Sequence, residues 1–207
     1  MQLTPHRHAK LCLLTLATTL LVACASPAPT DASLSSSAQS SSIHVEGVPG
    51  EVRTNLEKTT ATVTAIDYKT RKVTLKDDQG HQRSLHAGPR VMHFEQVKVG
   101  DRVHASAAEE TLIFLQDQGA SADDGIIQRL LKDAKDDQPG LALSESEQVT
   151  VRVQSVDLAK HSATLQYPDG RSRTIAVRPD VALSEAAVGS LVVIRITTAM
   201  VIWVEKP

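Results

Sequence analysis

Ala61-Thr62-Val63-Thr64-Ala65-Ile66-Asp67 and Val151-Arg152-Val153-Gln154-Ser155-Val156-Asp157 stand 90 residues apart and match in their apolar and acidic positions. At the same offset Leu75 meets Leu165, Gly80 meets Gly170, Arg83 meets Arg173, Leu85 meets Ile175, and Pro89-Arg90-Val91 meets Pro179-Asp180-Val181. One deletion later, at an offset of 89, Val99-Gly100 meets Val188-Gly189, Val103 meets Val192, and Ile113-Phe114-Leu115 meets Ile202-Trp203-Val204. So many apolar and glycine positions held in step mark an internal duplication.

Each copy is patterned for β-structure. Ala61, Val63 and Ala65 alternate with Thr60, Thr62 and Thr64, and Val149, Val151 and Val153 alternate with polar residues in the second copy. Lys72-Val73-Thr74-Leu75-Lys76 repeats the period, and Asp77-Asp78-Gln79-Gly80 and Pro168-Asp169-Gly170 carry the residues of tight hairpin turns. A third strand at 83–87 and 173–177 leads into a Pro-marked connection. Val99-Gly100-Asp101-Arg102-Val103 opens a fourth strand, and a fifth ends each copy. This order predicts an all-β chain of two tandem five-stranded OB-like (alternatively SH3-like) small barrels.

Barrel 1 is expected at 59–116, after a lead-in at 43–58, and barrel 2 at 147–207. The linker at 117–146 contains a short amphipathic helix. Asp123 and Asp124 suit its N-terminus, Lys132 and Lys135 its C-terminus, and Pro139-Gly140 stops it. Ile126, Ile127, Leu130 and Leu131 form one apolar stripe, expected to plug a barrel end or the joint between barrels.

The chain opens with His6, Arg7, His8 and Lys10, followed by an apolar run from Leu11 to Ala23. That run has the length of a signal-peptide h-region and is too short to span a bilayer as a finished helix. Its closing Leu21-Val22-Ala23-Cys24 resembles the bacterial lipobox. The resemblance implies cleavage between Ala23 and Cys24, removal of residues 1–23, and a Cys24 carrying diacylglyceryl and fatty acyl chains such as palmitate. Each buried methylene adds about 0.8 kcal/mol of membrane affinity, so several chains hold a protein firmly. Ala25 stands where an Asp tends to retain Gram-negative lipoproteins in the inner membrane. The expected location is therefore the cell envelope, on the outer membrane facing the periplasm. From Cys24 to residue 42 the sequence is rich in Ser, Ala, Pro and Thr and reads as a disordered spacer.

Ala65-Ile66-Asp67-Tyr68-Lys69-Thr70-Arg71-Lys72-Val73-Thr74-Leu75, followed by Phe94-Glu95-Gln96-Val97-Lys98-Val99-Gly100-Asp101-Arg102-Val103, resembles a group of uncharacterised bacterial envelope lipoproteins with small OB-like barrels. The resemblance spans both copies and implies fold and location. It carries over no catalytic residue, because the group has no established activity.

Without residues 1–23 the net charge moves from −2 to −4, since Arg7 and Lys10 leave. A mildly acidic chain lacks the clustered basic patch that nucleic acid needs. Cys12 would leave with the leader and Cys24 would carry lipid, so no disulfide is expected. The sequence holds no Gly-x-Ser-x-Gly, no His-Glu-x-x-His, no phosphate-binding glycine loop and no Cys pair. The expected function is a non-catalytic binding or scaffolding module without cofactor, whose partners are the membrane and another envelope protein. The candidate binding surface is Tyr68, Lys69, Arg71 and His93. The alternative is a copper or zinc protein using His86, Met92, His93 and His104, because soft and imidazole ligands suit those metals. His86 and His104 alternate with apolar Leu85, Ala87, Val103 and Ala105, which points both to solvent.

Overall fold

The alternating stretches of both copies fold as strands. The computed structural model describes residues 33–118, 126–133 and 138–207. After β1 (Ser37–Ile43), copy 1 supplies β2 (Gly50–Asp67), β3 (Lys72–Lys76), β4 (Gln82–His86) and β5 (Arg102–Leu115). A single α-helix among the described residues, α1 (Ile126–Asp133), precedes copy 2, which supplies β6 (Gly140–Asp157), β7 (Ser162–Gln166), β8 (Ser172–Ala176) and β9 (Leu191–Glu205). All strand pairs are antiparallel, in one sheet of order β4-β3-β2-β5-β9-β6-β7-β8, with β1 beside β2.

The copies join through β5 and β9, which pair from Arg102↔Glu205 to Leu115↔Val192. Glu109 faces Thr198, and these two residues are separated by 89, the offset of the repeat in this region. A pseudo-twofold axis therefore passes through that pair, normal to the sheet. It maps a register shift at Val63/Ala65 of β2 onto one at Val153/Ser155 of β6. Such bulges bend and twist a strand, which lets each end of the sheet wrap over its own core.

One end buries Ala61, Val63, Leu75, Phe94, Val97 and Val204, and the other buries Val151, Val153, Ala163, Leu165 and Val192. Since strand side chains alternate between faces, these two cores lie on one face of the long strands. A third core lies on the opposite face, where Ile127 and Leu130 of α1 pack on Leu56, Ala108, Ala199 and Val201. The apolar stripe of α1 thus covers the joint between the copies.

Each end is also tied to the other copy. Met92, after β4, exchanges two backbone hydrogen bonds with Gly140, the first residue of β6. In the related connection of copy 2, Arg178, after β8, donates to the carbonyl of Gly50, the first residue of β2. Gly50 and Gly140 both sit where a Cβ would collide with a neighbouring carbonyl oxygen, of Ile113 and Ile202 respectively. Only glycine lets the strands approach this closely.

Three expectations are corrected. Each copy has four strands rather than five, because nothing between Arg102 and Leu115 or between Leu191 and Glu205 supplies a turn. The expected fourth and fifth strands are continuous. The disordered spacer does not reach residue 42: Ser37–Ile43 is a strand whose side chains are all exposed, held by its backbone ladder to β2. Composition reports how much a segment can bury, and this strand buries nothing. Finally, β2 takes in much of the lead-in and β6 begins inside the expected linker, since both strands are 18 residues long.

Candidate functional site

Between the two wrapped ends, on the face opposite α1, the long strands form the floor of a trough of about 930 Å³. It runs across β1, β2, β5, β9 and β6. Two cross-strand rows of side chains line it, Asn55–Glu109–Thr198–Glu145 and Glu57–Ala107–Met200–Leu143. Ala38 and Ser40 of β1 extend the rows at one side, and the Ser40 hydroxyl donates to Asn55 Oδ1 at 2.8 Å. Arg90, in the connection after β4, stands on the rim. The trough therefore offers three carboxylates, one guanidinium, amide and hydroxyl groups, and an apolar patch centred on Met200 and Leu143.

The trough exists because the apolar alternation of the strand ends fails in the middle. Ala105-Ser106-Ala107-Ala108-Glu109-Glu110 is small or charged, and Ser144-Glu145-Ser146-Glu147 is wholly polar. Neither can seed a core on that face, so the two wrapped ends stay apart. This interruption was the sequence signal for the site, and no isolated motif marks it.

The sequence-predicted residues lie elsewhere. Ala23 and Cys24 fall outside the described residues, as do Asp123, Asp124 and Lys135. Tyr68 is half-exposed, donates its hydroxyl to the Val97 carbonyl at 2.6 Å and meets the Phe94 ring edge-on. Lys69 is exposed, on a turn where the Asp67 carboxylate accepts the Lys69 and Thr70 N–H groups and the Thr70 hydroxyl. Those bonds, led by the Thr70 hydroxyl, hold the Asp67 carboxyl below its ordinary range.

Within that candidate surface the half-buried Arg71 turns its guanidinium inward. It donates to the carbonyls of Ala87, Gly88 and Val91 and covers the Phe94 ring at 4.6 Å. Its backbone is left-handed at φ 53°, as is that of His161 in copy 2, whose ring meets the Arg178 carbonyl at 3.1 Å. Both residues brace the connection that follows the third strand of their copy.

The four candidate metal ligands are dispersed in role. His86 is exposed opposite Lys72, and Met92 is exposed in the bridge to Gly140. His93 has φ 52° and lies 3.7 Å from Glu95. His104 does not point to solvent: it stacks on Trp203 with ring centroids 4.0 Å apart. Its Nδ1 lies 3.2 Å from the Thr60 hydroxyl and its Nε2 lies 3.0 Å from Glu205 Oε2, so both ring nitrogens are engaged. Among the described residues no group of three His, Cys, Asp or Glu side chains is placed to hold a metal ion.

Two carboxylates fix the segments that border the copies. Burial alone would push the Asp77 carboxyl up, but hydrogen bonds from Ser35 and His81 outweigh it and hold the group well below the usual carboxylate range. Asp77 accepts the Ser35 N–H at 2.7 Å, which pins the entry to β1 on the β3–β4 hairpin. The Ser35 hydroxyl and Asp77 share the same ring nitrogen of His81, so the trio lacks the through-ring relay of a catalytic triad. In copy 2, Asp180 is held low by Arg178 and by the Gly47 N–H. Arg178, raised in turn by Asp180, also donates to the carbonyls of Val45 and Val48.

No protein-family model, curated protein or solved structure shows significant similarity to the chain.

Proposed function

We propose that this protein is a non-catalytic, lipid-anchored module of the bacterial envelope that docks an extended segment of another envelope protein in its trough. Each wrapped end of the sheet serves as a small OB-like barrel, and the pair works as one rigid unit. Cys24 provides the membrane attachment, on the periplasmic side of the outer membrane.

One observation carries the docking reading. The trough is built jointly by both copies and β1, and its floor is an open surface of five strands rather than a closed pocket. Four interstrand spacings separate β1 from β6, a width of ~19 Å. An extended chain of about six residues crosses it at ~3.3 Å per residue. The lining mixes carboxylates and hydrogen-bonding groups with an apolar centre, the composition of a recognition surface.

Photo-crosslinking in intact cells tests this. A benzophenone side chain in place of Met200 or Thr198 is expected to capture a discrete envelope protein, whereas one at Leu158, on the exposed β6–β7 hairpin, is not. Capture from Leu158 alone, or from neither trough position, overturns the docking reading. Intact-mass measurement of the protein from membranes tests the anchor: residues 1–23 should be absent and Cys24 acylated.

A further inference from the structure

The pseudo-twofold axis has one broken correspondence. β1 lies antiparallel along the outer edge of β2, pairing with residues 52–58. The repeat offset of 90 places the equivalent edge on β6 at residues 142–148, and no described strand pairs there. β6 is paired on that side only from Arg152 onward, by β7. Its outward N–H and C=O groups at 142–148 are a template for one more strand.

We propose that this edge of β6 accepts an extended basic peptide segment, as the counterpart of β1; the proposal rests on the trough as a docking surface and names the chemistry of a strand that extends its floor beyond β6. Charge decides between occupants. Glu145 and Glu147 point to the trough face, with Glu109 two strands away from Glu145 in the same row. Ser144, Ser146 and Gln148 point to the other face. An antiparallel second copy centred on residue 145, 146 or 147 would set at least one of these glutamates opposite a glutamate of the other copy, and directly opposed like charges destabilise a strand pair. A strand with Lys or Arg at alternate positions meets the same carboxylates favourably.

The register of β1 on β2, carried over by the offset, sets the pattern. In a seven-residue antiparallel strand the first residue lies opposite Gln148 and the last opposite Ala142. The second and fourth then face Glu147 and Glu145, and the sixth faces Leu143 beside Met200. The preferred segment is basic at its second and fourth positions and apolar at its sixth. Backbone hydrogen bonds supply affinity, and the alternate side chains supply selectivity.

The probe is a fluorescein-labelled peptide Ser-Lys-Thr-Lys-Thr-Leu-Ser, titrated into the purified protein and read by anisotropy. Saturable binding is expected, weakening on the order of tenfold as ionic strength rises from about 0.05 to about 0.5 M. The double substitution Glu145→Lys and Glu147→Lys, both exposed, should weaken binding by a similar factor while leaving the urea midpoint unchanged. Peptides N-methylated at alternate backbone positions should bind in one phase of methylation and fail in the other. Amide exchange at 142–148 should slow in the peptide's presence. Failure of the peptide to bind, binding indifferent to the glutamates or to both methylation phases, or a dimer formed through β6 would each overturn the proposal. If crosslinking from Met200 succeeds while the peptide fails, the docking reading stands and the basic-strand inference alone falls.

Discussion

The imidazole of His104 in β5 lies flat on the indole of Trp203 in β9, with ring planes inclined by 14°. The two residues face each other directly in the ladder that joins the copies. Trp203 also packs against the cluster under α1. The stack therefore links the copy-to-copy ladder to the core beneath the helix.

Replacing His104 with Ala should destabilise the protein by on the order of 1–2 kcal/mol, since it removes the stack and two polar contacts. Trp203 is the single tryptophan of the chain, so its emission reports unfolding directly. In urea titrations followed by far-UV circular dichroism, because Trp203 variants lack the emission, a double-mutant cycle between His104 and Trp203 should give a coupling of ~0.5–1.5 kcal/mol. Additive effects would show that the stack contributes nothing of its own.

Gly140→Ala should cost about 2 kcal/mol, because its new methyl group meets the Ile202 carbonyl. Gly50→Ala should cost more, about 3 kcal/mol, because φ of 122° adds backbone strain to a similar clash with Ile113. Gly88→Ala is the control. It has open space around its Cβ position and should shift the urea midpoint by less than the equivalent of ~0.5 kcal/mol.

Arg71 is a brace, which separates it from a surface contact residue. Arg71→Ala should lower stability by about 2–4 kcal/mol through three released carbonyls. Arg71→Lys should recover little, because an ammonium cannot reproduce a guanidinium fork. If Arg71→Lys unfolded at the wild-type urea concentration, the bracing role would be wrong.

Asp77 makes the attachment of β1 sensitive to acid. Its folded-state pKa is depressed, so its contribution is complete above the unfolded value near 4 and is lost as pH falls toward the folded value. Between pH 6 and pH 3 the wild type should lose stability, and Asp77→Asn should lose less over the same interval. Limited proteolysis before β1 should rise in Asp77→Asn already at neutral pH, because the Ser35 N–H loses its charged acceptor. Equal pH slopes for the two proteins would remove Asp77 from this account.

The strands, hairpin turns and the helix stripe were legible from residues alone, because period-two alternation and Asp-Gly turns are local properties. Ala61 and Val63 announce a buried strand face, and Ile127 and Leu130 announce a helix with one apolar side, wherever their partners lie. The duplication, too, is written in the chain, in matches such as Gly100 with Gly189. Tertiary structure alone decided that β5 pairs with β9, that Gly50 and Gly140 tie each copy to the other, and that Arg71 faces inward. Strand partners are chosen by backbone hydrogen bonds, which carry no residue signature. The exposed serines of β1 could not reveal their ladder for that reason, and Glu57, Glu109 and Glu145 became one surface only when four strands, β2, β5, β9 and β6, were laid side by side.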